Sequence, residues 1–309
     1  MAVAGTSINI GTRGSPLALT QAELTKAALL AAHPDLKPKN VTIVPIKTTG
    51  DKVQDRTLSE IGGKGLFTKE IEEALLDGRV DLAVHSSKDM PTMSQPGLAL
   101  TACLEREDPR DVFISHKAKR LQDLPQGAVL GTASLRRQAV AKRLRPDLDV
   151  IPLRGNVETR LRKLEAGEAD ATLLALAGLK RLGLEQHATA IMSVDEFLPA
   201  VGQGAIGIEA RADDARTRDA LARINHADTF TALACERAFL AALDGSCKTP
   251  IAGHATLSGD AIEFRGLIAR PDGKAAHDIR ANGHIRDAVA IGDEAARTLK
   301  RTAGPHFFD

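Results

Sequence analysis

The chain has no tryptophan and no tyrosine, and only eight phenylalanines in 309 residues. That shortage excludes a nucleobase-stacking platform, which needs aromatic rings interleaved with cations. Neither sign of charge is in excess: Lys and Arg total 41, Asp and Glu 40, for a formal net charge of +1. A dedicated nucleic-acid surface is therefore not expected. No apolar run approaches the ~20 residues that would span a bilayer. The opening MAVAGTSINI lacks the basic start, apolar stretch and cleavage site of a secretory signal, so the cytoplasm is the expected compartment. Cysteine is scarce too. Cys103, Cys235 and Cys247 are an odd set without close spacing, which is neither a disulfide framework nor a paired-cysteine zinc site. Cys103 in LALTAC and Cys235 in FTALACERAFL read as small buried side chains. Cys247, in LDGSCKTPIAG, has glycine and polar neighbours. It reads equally as redox thiol, nucleophile, metal ligand or covalent anchor.

What the chain does have is a repeated pattern. In INIGTRGSPLALTQAELTKAALLAAHPDLKPKNVTIVPI, a strand reaches Gly11-Thr12, a helix runs from Pro16 to Ala32, and a strand follows over Val41 to Ile46. In AVLGTASLRRQAVAKRLRPDLDVIPL, a strand reaches Gly131-Thr132, a helix runs from about Ser134 to Arg145, and a strand follows from Val150 to Leu153. Each half continues with a helix, a glycine stop at Gly78 or Gly167, and a strand from Asp81 or Asp170. Phe67, Ile71, Ala74 and Leu75 recur at helical spacing. The short apolar strands suit sheets covered on both faces. The fold class is α/β: two similar domains whose strand ends and helix starts face a cleft. VDEFLPAVGQGAIGIEA, residues 194 to 210, reads as a crossover back to the first domain. From about Asp213 the texture changes to two helical patterns, two strands around a turn and a closing helix, a smaller α+β domain. The expected boundaries are 1–104 plus 200–220, 105–199, and 221–309.

Anion-binding residue types gather at strand-to-helix turns. RGSP holds Arg13 and Ser15; GTASLRRQ holds Thr132, Ser134, Arg136 and Arg137; RGNVETR holds Arg154 and Arg160. Free amides at a helix start, with arginine forks, bind carboxylate or phosphate. One such arginine is usually a solvated surface group; several at matching positions suggest a ligand with several negative groups. IGGKGLFTKE places Lys64 in a glycine-rich turn that lacks the Gly-Lys-Ser/Thr ending of a nucleotide P-loop, and reads as a lid or a plain turn. DLAVHSSKDMP gathers His85, Ser86, Lys88 and Asp89 at a strand end, stopped by Pro91. A hydrolytic Ser-His pair is not expected there, because adjacent strand residues point to opposite faces. Metal binding by His85 and Asp89 lacks a third ligand. Asp89 suits stabilisation of a developing cation and proton transfer, but these residues alone leave the reaction open.

The stretches GTRGSPLAL, GGKGLFTKEIE, DLAVHSSKDMP, LGTASLRRQ, RGNVETRL, AGLKRLG, VGQGAIGIE and GSCKTPI together resemble the porphobilinogen deaminase family. They span most of the chain in the family's order. The resemblance implies three domains, the first two like periplasmic binding proteins. It implies a hydroxymethylbilane synthase, a transferase of tetrapyrrole and haem biosynthesis. That enzyme condenses four porphobilinogen molecules head to tail, releases one ammonia from each, and hydrolyses the product from a covalent dipyrromethane cofactor. Residue by residue, it implies a thioether from the cofactor to Cys247 and a catalytic role for Asp89. Cofactor contacts would come from Lys88, Asp89, Ser86, Thr132, Ser134, Arg136, Arg137 and Arg160. Substrate contacts would come from Arg13, Ser15, Arg154, Arg160 and Arg181, with Lys64 and Phe67 in an active-site loop. A monomer without metal, nucleic-acid or membrane partners is the family expectation. Two other classes stay in view: a dicarboxylate-binding module, and a transferase with an ordinary cysteine-linked intermediate.

Overall fold

A computed structural model describes residues 7–52, 65–245, 249–304 and 307. The chain divides into two compact units, one of residues 1–53, 63–107 and 205–230, the other of residues 54–62, 108–204 and 231–309.

The first unit is built on a five-stranded sheet in the order β2-β1-β3-β10-β4. Its strands are β1 Ile8–Arg13, β2 Val41–Ile46, β3 Leu82–Ser86, β4 Leu98–Cys103 and β10 Ile206–Arg211. β1 runs parallel to β2 and β3, whereas β10 runs antiparallel to β3 and β4. β10 comes from the expected crossover, so a late piece of chain completes the early sheet. The helix Pro16–Ala32 starts at Ser15, whose Oγ accepts from the Ala18 amide at 3.4 Å, and has proline in its first turn. Ile10, Leu29, Val84, Ala102 and Ile208 share one core. The helix Lys69–Leu76 covers the other face with Ile71, Ala74 and Leu75. Gly78 follows it at φ 71°, the left-handed conformation expected of a glycine stop.

The second unit holds a sheet of the same design, in the order β7-β6-β8-β5-β9. Its strands are β5 Asp111–Ser115, β6 Val129–Gly131, β7 Asp149–Ile151, β8 Ala171–Ala175 and β9 Ala190–Ile191. β6 is parallel to β7 and β8; β5 is antiparallel to β8 and β9. Helices Leu135–Leu144, Val157–Glu165 and Leu176–Arg181 follow β6, β7 and β8. β7 ends at Ile151 rather than Leu153. Pro152 follows directly and has no N–H for the ladder. The same unit contains an antiparallel sheet β11-β12-β13, of Ile251–Ser258, Ala261–Ala269 and Ala276–His284. Helices Ala227–Ala242 and Ala288–Ala303 contribute Phe239, Ala295 and Leu299 to its core, with Phe239 and Phe264 rings 4.8 Å apart. β13 had no clear signal in the sequence, since AHDIRANGH is mostly polar, as suits a half-exposed edge strand. The fold class is therefore two similar α/β sheets with a smaller α+β part.

Cys103 and Cys235 are fully buried. Burial, then the neighbouring Glu236 charge, pushes the Cys235 thiol up to about 12, so it is inert at neutral pH.

Candidate functional site

The first unit places Arg13, Ser15, Phe67, Ser86 and Asp89 around one pocket, together with Gln21 and His85. Arg13 ends β1, and Ser15 caps the following helix. Thr12, wholly buried just before Arg13 in β1, donates to the Val84 carbonyl at 3.2 Å and ties the start of that turn to β3. The Arg13 guanidinium lies 4.2 Å from the Phe67 ring centroid, a cation–π stack at the pocket wall.

β3 passes into a short turn over Ser87–Asp89 that carries Lys88 and Asp89, both half-buried. The Ser87 amide donates to the Ala205 carbonyl at 3.0 Å. Gly207 on β10 faces His85 across the ladder, and a Cβ there would come within 2.9 Å of Ser87 Oγ and Met90 Sδ. The glycine thus makes room to seat the Asp89 turn on the sheet. Ser86 Oγ accepts from Gln21 Nε2 at 2.8 Å and lies 3.1 Å from Gln21 Oε1. His85 points elsewhere: its Nε2 is 3.7 Å from Glu209 Oε2. Burial first, and the Arg13 charge second, push the His85 imidazole down to about 4, so it is neutral at pH 7. The structure thus agrees with the opposite-face argument against a Ser86–His85 nucleophile pair.

In the second unit, Ser134 caps the helix Leu135–Leu144 by accepting from the Arg137 amide at 3.4 Å, and its own amide donates to Thr132 Oγ1 at 3.2 Å. Arg136 and Arg137 are not solvated surface groups, each being only 5% exposed. Both reach Asp111, which is wholly buried. Burial would raise that carboxyl, but the two guanidiniums hold it well below the usual carboxylate range. Arg136 Nε and Arg154 Nη1 are buried with no hydrogen-bond partner among the described residues. Arg160 Nε donates to the Gly155 carbonyl at 2.9 Å, and Arg181 Nη2 to the Gly204 carbonyl at 2.7 Å. Both are half-buried. Cys247 and Lys64 lie outside the described residues. The segment around Cys247 joins the end of the helix Ala227–Ala242 to β11, with Asp244 at φ 53° and Gly245 donating to the Leu240 carbonyl at 3.0 Å.

Gln21, Asp111, Gln203, Gly207 and Glu209 were not anticipated as parts of the site. Glu209 and Asp111 are charges inside apolar strands, which was the available signal.

Residues 8–219 match the family described as "Porphobilinogen deaminase, dipyromethane cofactor binding domain", and residues 230–301 match "Porphobilinogen deaminase, C-terminal domain". The chain belongs to the porphobilinogen deaminase family. Porphobilinogen deaminases of Nitrobacter hamburgensis and Nitrobacter winogradskyi are each 59% identical to it over 299 residues, covering 97% of this chain and 94% of the relative. Among solved structures, a periplasmic substrate-binding protein of an ABC transporter from Coxiella burnetii is similar at 15% identity and a TM-score of 0.45, over 74% of this chain and 96% of that one. The reaction is the family's: stepwise head-to-tail condensation of porphobilinogen into a linear tetrapyrrole, using a dipyrromethane cofactor. The chain is thus a transferase of the hydroxymethylbilane synthase class, acting on porphobilinogen and the growing pyrrole chain.

Proposed function

We propose that Cys247 holds the cofactor through a thioether and that Asp89 is the catalytic acid–base group of the condensation. The observation that carries the second assignment is the shared pocket, in which Asp89 stands among Arg13, Ser15 and Ser86. Porphobilinogen bears an acetate and a propionate, so a pyrrole chain is a row of carboxylates. Arg13 and Ser15 at one helix start suit a carboxylate. In the second unit, Asp111 draws the buried Arg136 and Arg137 together. Arg136 Nε and Arg154 Nη1, buried with no hydrogen-bond partner among the described residues, suit further carboxylates, including those of a dipyrromethane.

The cofactor, when bound, supplies a tethered pyrrole end that extends by one unit per cycle. The chain's own residues do the rest. Arg13, Ser15, Arg154, Arg160 and Arg181 take substrate carboxylates. Ser86, Lys88, Thr132, Ser134, Arg136, Arg137 and Arg160 take those of the cofactor. As a carboxylate, Asp89 stabilises positive charge as ammonia leaves and pyrrole nitrogen becomes electron-poor; as an acid–base group it accepts or returns a proton. Attachment keeps intermediates beside the same acid and raises effective concentration. Phe67 lines this pocket, and Lys64, outside the described residues, is assigned with it to an active-site loop from the family resemblance.

We further assign residues 1–104 plus 200–220, 105–199, and 221–309 to three domains, which is supported by three separate sheets. A cytoplasmic monomer completes the reading, and light scattering of the purified chain tests the monomer. The chemistry is tested by denatured intact-mass measurement during porphobilinogen addition. Successive pyrrole-sized increments are expected. A chain that turns over porphobilinogen while never gaining mass contradicts a tethered product.

A further inference from the structure

Asp111 begins β5, is wholly buried, and has five N–H groups aimed at its two oxygens. Arg136 Nη1 donates to Oδ2 at 2.7 Å and Nη2 to Oδ1 at 3.2 Å. Arg137 Nε and Nη2 donate to Oδ1 at 2.9 and 2.7 Å. Gln203 Nε2 donates to Oδ1 at 3.2 Å and to the Pro109 carbonyl at 2.7 Å. The guanidiniums are then pinned from their far sides. Arg136 Nη1 reaches the Leu198 carbonyl at 2.9 Å, and Arg137 Nη1 the Leu173 carbonyl at 2.8 Å. The Phe197 ring stacks 5.7 Å from the Arg136 guanidinium.

Consecutive residues on a helix point about 100° apart, so Arg136 and Arg137 do not converge by helix geometry alone. Two adjacent guanidiniums in a buried place also repel each other. One carboxylate solves both problems at once. It draws the two side chains to a common point and cancels one of their two charges. What remains is a cluster in which Arg136 Nε is buried with no hydrogen-bond partner among the described residues.

We propose that Asp111 is a positioning residue for the condensation, holding Arg136 and Arg137 in the geometry with which they meet pyrrole carboxylates. The proposal rests on the carboxylate-binding role given to those arginines above. Gln203, from the VGQG segment, holds Asp111 in turn.

The test compares the wild-type enzyme, Asp111→Asn and Leu130→Ala at 20 °C, with rates normalised to the fraction of protein carrying dipyrromethane by intact mass. Leu130 is wholly buried in the core of the same unit and is given no role in the site, so it controls for lost stability. Asp111→Asn keeps the shape and removes the charge. Its kcat is expected to fall by about 10-fold or more, with KM changed by less than about 2-fold, because a misplaced ligand slows chemistry more than encounter. Leu130→Ala is expected to lower the melting temperature as much while keeping kcat within about 2-fold. Wild-type kcat in Asp111→Asn, or an equal loss in Leu130→Ala, overturns the proposal. If Asp111→Asn does not fold, Gln203→Met replaces it, with an expected kcat loss of about 3-fold; unchanged kcat there overturns the proposal equally. A wild-type chain that gains no pyrrole mass would refute the underlying reading instead, so the two failures are distinguishable.

Discussion

Asp89 is half-buried at the end of a three-residue turn, within reach of solvent and of the Arg13 pocket. If it handles the proton and the developing charge, Asp89→Ala should fold normally and lose at least about 100-fold in ammonia release. Near-normal release would remove it from the chemistry. Two buried groups make opposite contributions to pH dependence. His85 has its proton affinity lowered from 6.5 to about 4 in the fold, so the unfolded chain takes up that proton first. Its burden on stability is absent above about pH 6.5, grows as pH falls, and is complete below about 4. His85→Gln should therefore flatten the melting-temperature profile between pH 7 and 5; parallel profiles would contradict this. Asp111 is lowered from 3.8, so it contributes stability above about pH 4 and loses it as pH falls further. These residue-scale facts were only partly legible in the sequence. Arg13, Ser15, Ser86 and Asp89 stood out because they cluster at strand ends. Asp111 did not, because it lies 25 positions before Arg136 and only the β5–β8 pairing, continued by the helix after β6, brings them together.

The elements were easier to read than their interactions. The helix Pro16–Ala32 and strand Val41–Ile46 fall where the strand–helix–strand pattern of the sequence put them. The positive φ of Gly78 and Gly167 matches the helix stops read from the sequence. β9 and β13 escaped, since two residues give no period and a polar edge strand gives a weak one. One turn carries a specific prediction. Gly155 sits at φ 122°, and a Cβ there would come within 2.6 Å of Thr159 Cγ2. Its carbonyl also accepts from Arg160. Gly155→Ala should cost about 1–3 kcal/mol in chemical denaturation and raise KM for porphobilinogen, since Arg154 and Arg160 flank the strained turn. An unchanged denaturation midpoint and KM would show that the turn relaxes freely.

At the scale of the whole molecule, one sheet design appears twice, and in each case an antiparallel strand lies beside three parallel ones. The duplication was visible as matching strand–turn–helix stretches. The insertion of β10 into the early sheet depended on reading the VGQG region as connecting backbone. A near-neutral chain nevertheless carries arginines at these strand ends, so the anion binding proposed for them is a local property rather than one of net charge. The central claim is that one sulfur keeps the primer, and hence the growing product, on the enzyme. The most direct measurement is the denatured intact mass of purified wild-type and Cys247→Ala chains. The account predicts two linked pyrroles on the wild type, none on the variant, and pyrrole-by-pyrrole growth of the wild type alone when porphobilinogen is added. An active wild type at its bare sequence mass, or a variant still carrying the pyrroles, would contradict it.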